Sequence, residues 1–161
     1  MTAVAGFLFA SRWHIDWLLF ASLLIGVTFV IASACVMNNL LDRRLDKKMS
    51  RTRNRALPAG KVSPAAGLVF GLLLGAAGFW ALSFTNALTM AIIAVGYIGY
   101  VVAYGWSKRH TVYSTLIGTV PGGASLVAGY TAVTGSLDRA AAILFVIMLA
   151  WQMVHFYAIA V

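Results

Sequence analysis

Residues 62–107 read VSPAAGLVFGLLLGAAGFWALSFTNALTMAIIAVGYIGYVVAYGWS, without one Asp, Glu, Lys or Arg. A helix crossing the hydrocarbon of a bilayer needs about 20 apolar residues. This run is therefore long enough to cross twice, and the polar cluster Ser83-Phe84-Thr85-Asn86 is the natural place to divide it. Outward from it, Trp17–Met37, Thr111–Leu137 and Ala140–Val161 are equally free of charge. The pattern predicts five helices, near 17–41, 64–84, 87–106, 112–133 and 139–161. A transmembrane β-barrel would show short alternating segments in place of long continuous apolar runs. The expected fold class is all-α: one polytopic transmembrane helix bundle over 1–161.

Composition agrees. The chain is 61% hydrophobic and 10% charged and contains no Glu, against about 25% charged residues in ordinary soluble domains. Its net charge of +8 is not a nucleic-acid signature, because eight of the twelve Lys and Arg lie between Arg43 and Lys61. A basic loop between two spans is what the positive-inside bias produces, which places loop 42–63 in the cytoplasm. Loop 107–111, with Lys108 and Arg109, falls on the same side, leaving Arg12 and Arg139 on the other. Met1 to Ala10 is apolar but too short to cross, so it reads as an interfacial lead-in or the tail of a span. With the apolar run still open at Val161, both ends suggest a piece of a longer protein. Cys35, the single cysteine, reads as a small buried hydrophobe within a span.

The chemistry is concentrated in Asn38-Asn39-Leu40-Leu41-Asp42-Arg43-Arg44-Leu45-Asp46, at the cytoplasmic end of the first long span. Steps of four on a helix turn about 400°, so Asn38, Asp42 and Asp46 share one face. Three oxygen-bearing side chains on one face suit Mg²⁺, which takes a few carboxylates and completes its shell from water and phosphate. Guanidinium forks in the following Arg51-Thr52-Arg53-Asn54-Arg55 suit the remaining oxygens of a diphosphate, with Arg51 and Arg55 the candidates. The blander reading pairs the acids with Arg43 and Lys47 in a solvated loop and leaves the arginines to set topology or touch anionic lipid.

Asn-x-x-x-Asp-x-x-x-Asp followed by Met49-x-Arg51-Thr52-x-x-Arg55 resembles the signature of the UbiA superfamily of intramembrane prenyltransferases. Lys108-Arg109-His110-Thr111-Val112-Tyr113, Gly129-Tyr130-Thr131-Ala132-Val133-Thr134-Gly135 and Trp151-Gln152-Met153-Val154-His155-Phe156 extend the likeness, toward its haem-farnesylating branch. The resemblance implies a nine-helix fold of which this chain holds part, in a bacterial inner membrane. It implies Mg²⁺-dependent transfer of farnesyl from farnesyl diphosphate to a vinyl group of haem b, giving haem O. Asn38, Asp42 and Asp46 would then bind metal, and Arg51 and Arg55, with Lys108 and Arg109, the diphosphate. His155, and more weakly His110, would contact haem, although a membrane histidine bonded to a neighbouring helix is an equal reading. Tyr97, Tyr100 and Tyr104 form a stripe that suits a prenyl chamber or simply helix packing.

Departures from the pattern are Ala56, Ser125-Leu126 and Val154, where the family tends to carry proline, although Pro121-Gly122-Gly123 offers a local break. The second aspartate motif of the family has no counterpart here, since Asp16 and Asp138 belong to the opposite face. Half of a two-magnesium site, inactive alone, is the expectation. The alternatives are a prenyltransferase acting on a quinone or chlorophyll precursor, and a non-catalytic membrane haem-binding protein.

Overall fold

The computed structural model describes residues 2–160, and every regular element among them is a helix. They are α1 (Thr2–Ser11), α2 (Trp17–Asp46), α3 (Pro64–Leu82), α4 (Ala87–His110), α5 (Ser114–Thr134) and α6 (Arg139–Ala160). α2 to α6 are long and apolar enough to cross a membrane.

Polar residues at the turns start these helices. Asp16 accepts from the Leu19 N–H at 3.0 Å, Ser63 from Ala66 at 3.1 Å with Pro64 following it, and Asn86 from Thr89 at 2.9 Å. Asp138 accepts from the Ala141 N–H at 3.0 Å and the Tyr130 hydroxyl at 2.7 Å, contacts that hold its carboxyl below the usual range. Asn86 also donates to the Thr131 and Ala132 carbonyls, tying α4 to α5. Asn86→Ala is expected to lower stability by about 1–2 kcal/mol, read as an earlier thermal transition in detergent. Asn86→Asp, which keeps the cap and loses the donor, should recover part of that loss.

The helix limits correct the sequence reading in two places that matter for the site. α2 does not end at 41: its 30 residues rise about 45 Å, against about 30 Å of hydrocarbon. Its last turns therefore leave the apolar layer still helical, carrying Asp42 and Asp46. Residues 107–110 are likewise helical, the final turn of α4. Within α4, Gly99–Tyr104 forms a π-helical segment, an uncommon geometry that concentrates at functional sites. Pro121 lies inside α5 without ending it.

Helices pack here through small residues, because lipid gives apolar side chains no reason to prefer protein. α3 lays Gly67, Gly71 and Gly78 against α2, and the Ser33 hydroxyl of α2 donates to the Gly71 carbonyl at 2.7 Å. α1 packs along α5 with Phe7 fully buried, edge-on to Phe20 of α2. The main core gathers Phe7, Leu23, Val27, Leu82, Ile93 and Ala128. Phe7 comes from α1, Ile93 from the first half of α4 and the others from the first half of α2 and the last halves of α3 and α5, so the core lies at the end away from Asp42.

Candidate functional site

At the other end, the emergent turns of α2 present Asn38, Asp42 and Asp46. Two separate segments bring cations to them. From the last turn of α4, Lys108 Nζ donates to Asn38 Oδ1 at 2.7 Å and to Asp42 Oδ2. Arg109 Nη2 donates to Asp42 Oδ1 at 2.7 Å and to the Leu41 carbonyl at 3.1 Å. From the α2–α3 connection, Arg55 Nη1 donates to Asp46 Oδ2 at 3.1 Å and to Asn39 Oδ1 at 3.2 Å. That connection is tied down by Thr52, buried, whose hydroxyl donates to the Asp46 carbonyl at 3.0 Å.

Of the sequence-derived candidates, Asn38, Asp42, Asp46, Arg55, Lys108 and Arg109 thus form one cluster. Arg51 is exposed and makes no ion pair among the described residues. The partners of Asp42 and Asp46 are not Arg43 and Lys47 of the same helix turn but residues from elsewhere in the chain. Both carboxylates are buried while the three cations remain partly open, so an anion arriving from solvent meets positive charge first. Because the cations are partly solvated, they can leave the carboxylates for an arriving ligand at less cost than in a fully buried pair.

One amide oxygen and two carboxylates make an all-oxygen donor set, the chemistry a Mg²⁺ site uses when the metal keeps water and phosphate as its other ligands. No three His, Cys, Asp or Glu side chains converge among the described residues; the third oxygen-bearing side chain on this face is the amide of Asn38.

Beneath the cluster lies a chamber of about 310 Å³, with Cys35, Tyr97, Tyr100, Gly122, Gln152 and Phe156 in its wall. Cys35 is consequently exposed, not buried as the sequence suggested. A second, more polar cavity of about 630 Å³ is lined by Asn38, Asn39 and Arg55 and shares Cys35 and Tyr100 with the first. Anion site and apolar chamber therefore have common walls.

α5 makes the room. Gly118 and Gly122 are in the chamber wall, and at Gly118 a Cβ would stand 3.0 Å from the Tyr104 ring. Tyr100 and Tyr104 stack with centroids 5.5 Å apart, and Lys108 Nζ sits 5.3 Å above the Tyr104 ring. This path of tyrosines from chamber to cation cluster runs along the π-helical segment, whose only signal in the sequence is the pair Gly99 and Gly105 around Tyr-Val-Val-Ala-Tyr.

The histidines are placed differently from expectation. His155 is exposed on the outward face of α6, stacked on Trp151 at 5.0 Å, and the chamber is lined instead by Gln152 and Phe156. His110 is exposed, stacks on Trp106 and bonds through Nδ1 to the Trp106 carbonyl at 2.8 Å.

Residues 1–161 match the model of the UbiA prenyltransferase family along their whole length. The chain is 50% identical over 163 residues to protoheme IX farnesyltransferase of Klebsiella pneumoniae subsp. pneumoniae and to that of Shigella flexneri. Each alignment covers 100% of this chain and 55% of the relative. The chain therefore spans about half the length of these curated relatives. A solved structure from work on digeranylgeranylglyceryl phosphate synthase in membranes superposes with a TM-score of 0.79 at 23% identity, covering 92% of this chain and 52% of the other. At that identity the likeness concerns the fold.

Proposed function

The chain belongs to the UbiA prenyltransferase family and is an integral membrane protein; from that premise we propose that it carries the diphosphate-binding half of an enzyme transferring farnesyl from farnesyl diphosphate to haem b. The observation that carries the reading is the meeting of Lys108, Arg109 and Arg55 on the acidic face of α2, directly over an apolar chamber. The 50% identity to protoheme IX farnesyltransferases supports this donor and acceptor. By the positive-inside bias the cluster faces the cytoplasm, in a bacterial inner membrane.

In this reading Asn38, Asp42 and Asp46 hold Mg²⁺, which supplies charge neutralisation to the leaving diphosphate. Lys108, Arg109 and Arg55 turn from the carboxylates to the diphosphate oxygens, where negative charge grows as the allylic C–O bond breaks. The farnesyl chain lies in the chamber, whose apolar wall keeps water from the allylic cation. Tyr100 and Tyr104 offer ring faces to that cation, and the terminal vinyl carbon of haem b attacks it. The cation this leaves on the neighbouring vinyl carbon takes up water and loses a proton to give the hydroxyethylfarnesyl group, with pyrophosphate as the leaving group.

The test is equilibrium binding of farnesyl diphosphate to the chain in lipid nanodiscs, with Mg²⁺ or with EDTA. Binding that weakens at least tenfold in EDTA is expected. Binding indifferent to the metal would count against the reading.

A further inference from the structure

The chamber is mostly apolar, and one amide in its wall stands out. Gln152 is only 5% exposed, and its Nε2 is buried with no hydrogen-bond partner among the described residues. Buried amides are paired in the great majority of cases, because an unpaired donor keeps its full desolvation penalty. Two other polar side chains of the wall have partners: the Tyr97 hydroxyl with Ser33 at 3.2 Å, and Ser125 with the Gly122 carbonyl at 3.1 Å.

The seat of the amide is specific. It lies against Gly122, where a Cβ would stand 2.2 Å from Gln152 Oε1 and 2.6 Å from Nε2. Only a residue without a side chain at position 122 leaves the amide room beside the chamber.

A farnesyl chain is hydrocarbon and offers the amide nothing to bond. Within the chamber, the acceptor that suits this amide is an oxygen on the molecule that takes the prenyl group or on a water; the other sources are residues outside the described ones. We propose that Gln152 is a specificity-determining residue that donates its side-chain N–H to an oxygen acceptor on the prenyl-accepting substrate. The inference rests on the prenyl-transfer reading above. On haem b such oxygens are the propionate carboxylates, and a charged acceptor strengthens a hydrogen bond from an amide.

Cys35, the single cysteine, lines both cavities and reports their occupancy through its rate of alkylation by N-ethylmaleimide. The experiment titrates the chain in nanodiscs with haem b, with haem b dimethyl ester, and separately with farnesyl diphosphate and Mg²⁺. Haem b should protect Cys35 in the native chain. Gln152→Leu should raise the half-protecting concentration about tenfold.

Gly122→Ala should act similarly, since its methyl takes the place of an amide that can swing aside without moving a helix. The dimethyl ester should protect the native chain about as poorly as haem b protects Gln152→Leu, while protection by farnesyl diphosphate, whose chain meets only the hydrocarbon of the same wall, should shift far less than protection by haem b. Equal protection by haem b in native chain and variants overturns the proposal. So does an ester as effective as the acid, which would make a water the partner of the amide. A melting loss in Gln152→Leu that abolishes protection by both ligands makes the residue structural and also overturns it. Farnesyl diphosphate failing to protect while the Gln152 dependence on haem b persists would defeat the diphosphate reading and leave this one standing.

Discussion

Asp42→Asn is expected to lower the affinity for farnesyl diphosphate in the presence of Mg²⁺ by at least about a hundredfold, near 3 kcal/mol. Asp42 is the one carboxylate bonded to two cations, Lys108 and Arg109, and it neighbours Asn38 through the same Lys108 ammonium. Removing its charge takes away a ligand suited to a hard cation. It also frees two cations, which by themselves would attract an anion more strongly. The two effects act in opposite directions under different conditions. With Mg²⁺ the loss of the metal ligand dominates; with EDTA, pyrophosphate binding should hold or rise a few-fold. Were Asp42 only a counter-charge for the basic residues, the substitution would change anion affinity equally with and without Mg²⁺. Global stability should fall by about 1–3 kcal/mol, because Asp42 is buried while its cations are partly solvated.

Gly129→Leu should have the largest effect on folding. A Cβ at Gly129 would stand 2.0 Å from the Ala3 carbonyl oxygen and 2.9 Å from the Phe7 nitrogen, and one at Gly6 would stand 2.1 Å from the Leu126 carbonyl oxygen. These neighbours are backbone and cannot rotate away, so even alanine must push α1 off α5. Phe7, fully buried and packed on Phe20, would move with it. Overpacking of this kind costs about 1–3 kcal/mol for a small increment and more for a large one. We expect about 2–3 kcal/mol for Gly129→Ala and above 4 kcal/mol for Gly129→Leu, a large share of the roughly 5–15 kcal/mol that holds a domain folded. Gly105→Ala is the control: nothing lies within 4 Å of its Cβ, so its transition should remain near that of the native chain. Thermal unfolding in detergent followed by tryptophan fluorescence reads all three. Gly129→Leu melting with the native chain would refute the packing account.

Much of this was legible from the sequence because the bilayer imposes simple rules. Uncharged runs such as 62–107 must become helices, since hydrocarbon cannot satisfy an open backbone. The four-residue spacing of Asn38, Asp42 and Asp46 is a local property of a helix and needs no tertiary information. Arg51 shows the limit. It stands in the same motif as Arg55, yet only Arg55 reaches Asp46, because the path of the α2–α3 connection is set by Thr52 and not by spacing. His155 shows it again: an imidazole in an apolar span suggests a buried contact, but the rotation of α6 turns Gln152 inward and His155 out.

The sequence by itself determined an all-helical membrane bundle, one acidic helix face and the positive charge around it, because each follows from periodicity, hydropathy and charge along the chain. Only the tertiary structure decided that Lys108 and Arg109 close on Asp42, that glycines of α5 open a chamber beneath, and that Gln152 faces it unpaired. Those depend on how helices distant in sequence approach and rotate against one another. Close backbone contact through small residues controls that approach, and no local pattern records it.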